Sequence, residues 1–273
     1  MKQRNLPRMG LGIGWRAEIA PLIDRRRDLG FVEILGENES ATVANPCLQA
    51  LRDRGVQVVP HGVSASLGSV DGFREASIRH LGALARRYDS PLVSEHMAFV
   101  RAGDREAGHL MPVERTRVQL EVLVENVRRA QALLPVPLAL ENISALMDWP
   151  NAELGHAEFL TELLDRTGAY LLLDIANVHA NAVNLGVDPM EFLRALPLDR
   201  VAYIHVGGGH IENGISHDSH ADPVDAAIFD LVSRAATLFP MPAIMLERDE
   251  CFPPDEEITA ELDQLARAAG FSS

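Results

Sequence analysis

The chain has 273 residues, 47% of them hydrophobic, and its 25 basic and 39 acidic residues give a formal net charge of -14. This length and apolar content suit one large core, so residues 1–273 are expected to form a single domain. The negative charge disfavours contact with the phosphate backbone of nucleic acid. No apolar run reaches the roughly 20 residues of a membrane span, and no signal-peptide core follows the basic N-terminus, so a cytoplasmic protein is expected.

Eight short apolar segments with the character of buried strands alternate with eight helical patterns along the chain. The strand segments are Leu11–Trp15, Phe31–Leu35, Val56–Val59, Pro91–His96, Val136–Leu140, Tyr170–Leu173, Arg200–Ile204 and Pro242–Leu246. The helical patterns cover Glu18–Leu29, Val43–Arg54, Gly72–Arg87, Pro112–Leu134, Leu154–Thr167, a helix that starts at Asp188–Pro189, Val224–Phe239 and Glu256–Ala269. Eight strand–helix units of about 34 residues each (273 divided by 8) predict an α/β fold, a single (β/α)8 TIM barrel.

The connection after the fourth strand, residues 98–111, is the longest polar segment and is expected to form a loop that acts as a lid or substrate wall. A doubly wound open sheet is the competing fold. Such a sheet would normally have fewer strands and one ligand crevice, whereas polar residues end nearly every predicted strand here. The chain also has neither a Gly-x-Gly-x-x-Gly motif after its first strand nor a P-loop, so nothing indicates a second domain.

Ionisable side chains follow the predicted strands at their C-terminal ends. They are His61, His96, Glu141, Asp174, His205 and Glu247, joined by Asp218 and His220 from the loop after the seventh strand. Parallel barrel strands end at the same mouth, where several buried anions would be too costly without cations. Imidazole and carboxylate ligands together suit zinc, iron or manganese, and this many ligands exceed the needs of one ion. We therefore predict a site for two or three metals that Glu141 bridges.

Seven motifs, in order, carry a family resemblance: HGVSASLGS, SEHMAF, LENIS, DIANVHANAVNLG, YIHVGGGH, DSHADPV and LERD. Over essentially the whole chain they resemble the DUF692 family, the multinuclear non-heme iron-dependent oxidative enzymes. That family is similar in turn to the xylose isomerase-like TIM barrels and to endonuclease IV. The resemblance implies a first iron held by His61, His96 and Glu141. It implies a second iron held by the ligands Glu141, Asp174, His205 and Glu247.

A third metal is implied at Asp218 and His220, with one further ligand from the segment 177–179. This segment departs from the family pattern, Asp-Val-Asn-Asn-x-Tyr, because Ala176 replaces the first Asn and His179 the Tyr. Asn177 is the favoured ligand, since it lies three residues after Asp174, the spacing at which related barrels place one. His179 is the alternative ligand.

Other residues are expected to contact the substrate. Glu37 and Asn38, after the second strand, resemble an acidic–amide pair at the same place in the family. Gly207 and Gly208, after the seventh strand, remove side chains beside the metals, so that a peptide main chain or an anion could approach closely. A tight turn explains these glycines equally well. Asp249 resembles a catalytic base or substrate anchor, and a salt bridge to a neighbouring arginine explains it equally well.

The resemblance implies an oxidase that uses dioxygen and two or three iron ions in mixed ferrous and ferric states. Its expected substrate is a ribosomally synthesised precursor peptide, modified at cysteine residues. Since no additional domain that would bind a leader peptide is evident, a separate leader-binding partner protein is expected.

Three alternatives use the same ligands. A zinc or manganese phosphodiesterase like endonuclease IV would polarise phosphate and activate water, but the acidic composition counts against it. A sugar isomerase would normally add a lysine or histidine base, and Lys2 is the only lysine. A non-catalytic metal-binding scaffold is the third alternative.

Overall fold

Eight parallel strands close into a barrel in the computed structural model, which describes residues 6–271. The strands are β1 (Gly10–Gly14), β2 (Phe31–Leu35), β3 (Gln57–Gly62), β4 (Val93–His96), β5 (Ala98–Ala102), β6 (Arg105–Pro112), β7 (Leu138–Glu141), β8 (Tyr170–Asp174), β9 (Val201–Gly207), β10 (His210–Glu212), β11 (Ile215–His217) and β12 (Ala243–Glu247). The barrel order is β1-β12-β9-β8-β7-β4-β3-β2, and β2 pairs with β1 to complete the ring. The predicted TIM barrel is confirmed.

Helices follow the barrel strands and pack outside them. They are α1 (Ala20–Arg25), α2 (Pro46–Asp53), α3 (Glu75–Tyr88), α4 (Arg117–Leu133), α5 (His156–Thr167), α6 (Ile175–Leu185), α7 (Pro189–Ala195), α8 (Ala226–Ala235) and α9 (Asp255–Ala268). Strands such as β8, YLLLD, are buried at every position because one face meets the barrel interior and the other meets the helices. None of the helices in residues 6–271 is both long and apolar enough to span a bilayer.

Two apolar clusters divide the core. The larger lies between the strands and the helices, and the smaller fills the barrel interior with side chains that include Phe31, Val59, Leu172, Tyr203 and Met245. Gly12 on β1 is needed there, because a Cβ at this position would lie 2.4 Å from the Phe31 ring. The interior is therefore filled by packed side chains, as is usual for this fold.

The segment 98–111 differs from the expected loop, because it forms the antiparallel hairpin β5–β6. Pro112 pairs with Ala98 as the last residue of β6, so α4 begins at Arg117 and not at Pro112. The hairpin still forms a wall of the mouth, since His109 and Leu110 on β6 face the cavity there.

Helix α6 and the hairpin β10–β11 were also not predicted. Helix α6 starts directly after Asp174, whose side chain accepts a hydrogen bond from Asn177 N at 2.7 Å and so caps the helix. The hairpin β10–β11 turns at Asn213 and Gly214, both with positive φ (52° and 81°). An Asn-Gly pair is a strong hairpin signal, because both residues adopt this conformation readily.

Candidate metal centre

Seven barrel strands contribute ionisable side chains to the C-terminal mouth. They are Glu33 on β2, His61 on β3, His96 on β4, Glu141 on β7, Asp174 on β8, His205 on β9 and Glu247 on β12. All seven are buried, and His96 is the most exposed at 7%. The strand register places His96 beside Glu141 and Asp174 beside His205. The fold thus brings together six residues that are scattered over nearly 190 positions of sequence between His61 and Glu247, and adds Glu33.

His61, His96 and Glu141 form the first ligand cluster. Their ligating atoms lie within 4.8 Å of one another. Glu141 Oε2 lies 3.4 Å from His61 Nε2 and 3.2 Å from His96 Nε2. His96 Nδ1 lies 3.0 Å from the carbonyl oxygen of Gly62, and His61 Nδ1 lies 2.8 Å from Ser94 Oγ. Each imidazole is therefore held through Nδ1 and presents Nε2 to Glu141.

The second cluster shares Glu141 with the first. Glu141 Oε1 lies 3.5 Å from His205 Nδ1, and Glu247 Oε2 lies 2.9 Å from the same nitrogen. Asp174 completes a group with Glu141 and His205 within 4.8 Å. Because the two oxygens of Glu141 face different clusters, its carboxylate is placed to bridge two metal ions.

A third group lies nearer to solvent. His220 Nε2 lies 2.7 Å from Asp218 Oδ1, and both side chains are 17% exposed. His220 also forms a ligand group with Asp174 and Glu247. Asn177 donates from Nδ2 to the carbonyl oxygen of Asn142 at 3.0 Å, and its buried Oδ1 has no hydrogen-bonding partner within residues 6–271. Asn177 and Asp218 both line the cavity above the clusters.

Unpaired polar atoms test whether this site fits metal ions. In the described part of the chain, twelve buried side-chain nitrogen or oxygen atoms lack a hydrogen-bonding partner, and seven belong to this region. They are Glu33 Oε1, Glu141 Oε2, Asp174 Oδ2, Asn177 Oδ1, His205 Nδ1, His220 Nε2 and Glu247 Oε2. Buried polar atoms are normally paired, and lone pairs that face one another are satisfied by a shared cation. The donor set therefore fits metal ions.

The close spacing of ionisable groups shifts the pKa values of Asp174 and His205. Burial, together with the neighbouring carboxylates of Asp218 and Glu141, holds the pKa of Asp174 well above its ordinary value. Burial would lower the pKa of His205, but the carboxylates around it, led by Glu33, outweigh burial and raise the pKa well above its ordinary value. Ionised carboxylates packed this closely require positive charge between them, which a metal ion or a protonated imidazole supplies.

Asp249 lies at the rim of the cavity and forms an ion pair with Arg16. Its Oδ2 also lies 3.4 Å from His220 Nδ1, and its side chain is 30% exposed. The salt bridge that the sequence left as an equal alternative is present, and the carboxylate still faces the mouth.

The structure places the other expected site residues away from the cavity. Glu37 is exposed and accepts hydrogen bonds from Val63 N (3.1 Å) and Ser64 Oγ (2.6 Å), so it holds the loop after β3, and Asn38 is also exposed. His179 lines a neighbouring cavity beside the β10–β11 hairpin, and Asp218 lines both that cavity and the one at the mouth.

Gly207 and Gly208 are approached closely by this chain itself. A Cβ on Gly207 would lie 2.7 Å from the His220 ring, and one on Gly208 would lie 1.9 Å from Asp222 O. The glycines therefore make room for the loop that carries Asp218 and His220, and the expected space for a substrate is filled there.

Three residues of the site were not predicted from the sequence: Glu33, Ser94 and Tyr203, which hydrogen-bond inside the barrel with one another and with the candidate ligands His61 and His205. Glu33 stands in the middle of the apolar strand FVEIL, and an isolated carboxylate in such a run is the signal that could have identified it. Ser94 and Tyr203 have no such signal, because both residue types are common in strands.

A family model described as "RiPP precursor modification enzyme MbnB/TglH/ChrH" matches residues 10–270. Among relatives, a UPF0276 protein of Streptomyces avermitilis is 48% identical over 97% of this chain, which spans 56% of that protein. A UPF0276 protein of Caulobacter vibrioides is 38% identical over 95% of this chain and 93% of its own length.

Solved structures of low identity share the fold. D-psicose 3-epimerase from Clostridium cellulolyticum has a TM-score of 0.63 at 14% identity and covers 96% of this chain and 99% of its own. Endonuclease IV from Thermus thermophilus has a TM-score of 0.60 at 19% identity and covers 96% and 100%. These likenesses concern the barrel alone.

Proposed function

The chain belongs to the RiPP precursor modification enzyme family MbnB/TglH/ChrH, and from this membership we propose that it oxidises cysteine residues of a ribosomally synthesised precursor peptide with dioxygen. The observation that carries the proposal is the ligand constellation at one barrel mouth, where two buried clusters share Glu141. Because such a peptide is made on ribosomes, we place the activity in the cytoplasm, and a separate partner protein would hold the leader.

Two or three iron ions would occupy the mouth. His61, His96 and Glu141 would hold the first, and Glu141, Asp174, His205 and Glu247 the second. Asp218, His220 and Asn177 would hold the third. When bound, iron in mixed ferrous and ferric states would bind the cysteine thiolate and pass an electron to dioxygen, and the cysteine would supply the electrons for its net reduction.

The chain's own residues would orient and enclose the reaction. His96 and His61 are held through Nδ1, so their Nε2 lone pairs point at Glu141 without rotation of the rings. His109 and Leu110 on the β5–β6 hairpin would cover the substrate from one side and limit water at the mouth. Asp249, whose charge is shared with Arg16, would accept a proton or anchor the peptide at the rim.

A metal exchange tests oxidation against hydrolysis. Iron-loaded protein, with its partner if one exists, is expected to consume dioxygen and change the mass of a cysteine-containing precursor peptide. The zinc form should be inert towards that peptide, because zinc cannot pass an electron to dioxygen.

The matched control is the same peptide with serine in place of cysteine, which lacks a thiolate for iron and should remain unmodified. Oxidation is contradicted if the zinc form cleaves phosphodiesters without oxygen while the iron form leaves the cysteine peptide unchanged.

A further inference from the structure

Five buried side chains form a continuous hydrogen-bonded series inside the barrel, joining a ligand of the first cluster to a ligand of the second. His61 Nδ1 lies 2.8 Å from Ser94 Oγ, and Ser94 Oγ lies 2.6 Å from Tyr203 OH. Glu33 Oε2 lies 2.5 Å from Tyr203 OH and 2.8 Å from His205 Nε2. Each of the five is at most 2% exposed, so water does not compete for these contacts.

The direction of every hydrogen bond in this series follows from Glu33. A carboxylate only accepts, so Tyr203 OH and His205 Nε2 both donate to Glu33 Oε2. The single hydroxyl hydrogen of Tyr203 is donated to Glu33, so Ser94 donates its own hydroxyl hydrogen to the Tyr203 oxygen. Ser94 therefore has no second hydrogen to donate to His61. His61 Nδ1 must therefore donate to Ser94 Oγ.

This order decides which nitrogen of each imidazole carries a lone pair. His61, protonated on Nδ1, presents a bare Nε2 to Glu141, 3.4 Å away. His205, protonated on Nε2, leaves Nδ1 as its one nitrogen available to a metal, 2.9 Å from Glu247 Oε2. We propose that Glu33 sets the ligating tautomers of both His205 and His61, and that Tyr203 and Ser94 are the positioning residues that transmit this order to His61. The inference rests on the proposed metal centre.

His96 provides an internal contrast. Its Nδ1 contacts the backbone carbonyl oxygen of Gly62 at 3.0 Å, which accepts whatever the state of Glu33. The competing arrangement is a metal bound directly by Glu33, whose Oε1 is buried without a partner among the described residues and which groups with His205 and Glu247. Substitutions of Tyr203 or Ser94 leave Glu33 in place, so they test its effect on the tautomer of His61 without removing a possible metal ligand.

Tyr203→Phe removes the acceptor for the Ser94 hydrogen. Ser94 is then free to donate to His61 Nδ1, which would move the imidazole proton to Nε2 and remove the lone pair that faces Glu141. Ser94→Ala removes the acceptor for His61 Nδ1 directly. Both variants should therefore weaken the first metal site, although Tyr203 does not touch His61.

The experiment titrates metal-free protein with Co²⁺ against a competing chelator and follows the d–d absorption of each binding step. His96→Ala identifies the step that belongs to the first site. Tyr203→Phe and Ser94→Ala should each lower the Co²⁺ affinity of that step by about 10- to 100-fold, the usual effect of losing a partner of a metal ligand. The double variant should be no weaker than Ser94→Ala alone, because both changes break one path.

Tyr88→Phe is the matched control, since Tyr88 is an equally buried tyrosine on α3 outside the series, and it should titrate like the wild type. Thermal unfolding of each metal-free variant shows that the fold is retained. Wild-type protein that binds no Co²⁺ overturns the proposed metal centre together with this inference. If the wild type binds but Tyr203→Phe matches Tyr88→Phe, or if the two losses add in the double variant, this inference alone is overturned.

Discussion

At the scale of single residues, Glu141 joins the two buried clusters through its two carboxylate oxygens. Its Oε2 faces His61 and His96, and its Oε1 faces His205. Asp218, in contrast, pairs with His220 at the solvent-facing edge. One carboxylate therefore serves both buried clusters, whereas the other serves only the outer group.

Glu141→Ala is expected to lose the metals of both buried clusters, because each cluster then has one carboxylate oxygen fewer and its histidines face a void. Asp218→Ala should lose at most the outer metal and keep the pair. Elemental analysis of iron per purified chain measures the difference. Equal losses in the two variants, or a single metal per wild-type chain, would contradict the bridging arrangement.

At the scale of elements, Arg115 fixes the loop between β7 and α5 through side-chain hydrogen bonds. Arg115 donates from Nη1 and Nη2 to the two Asp148 oxygens at 2.6 and 2.8 Å, and from Nε to the carbonyl oxygen of Leu154 at 3.0 Å. Trp149 Nε1 donates to Pro112 O at 2.8 Å, which ties the same loop to the end of the β5–β6 hairpin. The mouth wall and the loop are thus one connected unit.

Asp148→Asn should destabilise this unit in a pH-dependent way. The hydrogen bonds from Arg115 lower the pKa of Asp148, so its stabilising effect is present above the unfolded-state pKa of about 3.9 and is lost as pH falls through the lower folded-state pKa. Because Asp148 is partly exposed, the effect at pH 7 is about 0.5–1 kcal/mol, or roughly 1–4 °C in Tm.

Differential scanning calorimetry at pH 7 and below about pH 4 measures this difference, which should shrink on acidification. Asp165→Asn is the matched control, since Asp165 is 60% exposed and makes one 3.3 Å contact with Arg200. An Asp148→Asn deficit that is the same at both pH values would show that the lost interaction is not ionic.

At the scale of the whole molecule, the barrel collects buried carboxylates at one end of an already acidic chain. Folding must bring these groups together, and burial, followed by the neighbouring carboxylates of Asp218 and Glu141, raises the pKa of Asp174. Bound cations would offset this repulsion in the folded state and not in the unfolded chain.

Removal of metal with a chelator should therefore lower Tm. Saturation at 100 times Kd corresponds to about 2.7 kcal/mol for one site, or roughly 5–10 °C for a barrel of this size. Zinc should restore the Tm of the stripped protein although it cannot support oxidation, which separates stability from catalysis. An unchanged Tm after complete removal of metal would show that the clusters do not bind metal in the folded protein.

The barrel and most of the candidate ligand set follow from the sequence. Alternation of apolar strands with helices has one common solution at this length, and parallel strands must end at the same mouth, so His61, His96, Glu141, Asp174, His205 and Glu247 had to converge there. The bounds of β2 matched the prediction, since Gly30 and Gly36 flank a short apolar run.

The orientation of the candidate ligands, and the neighbours that hold them, depend on contacts between distant parts of the chain. Glu33, Ser94 and Tyr203 lie on three strands and meet inside the barrel, so their hydrogen bonds depend on barrel closure and have no local sequence signal. Spacing did not predict that His179, on α6, faces the cavity beside the β10–β11 hairpin. It also did not predict that the ring of His220 fills the space beside Gly207. Side-chain direction is set by packing against distant parts of the chain, and spacing along the sequence does not encode it.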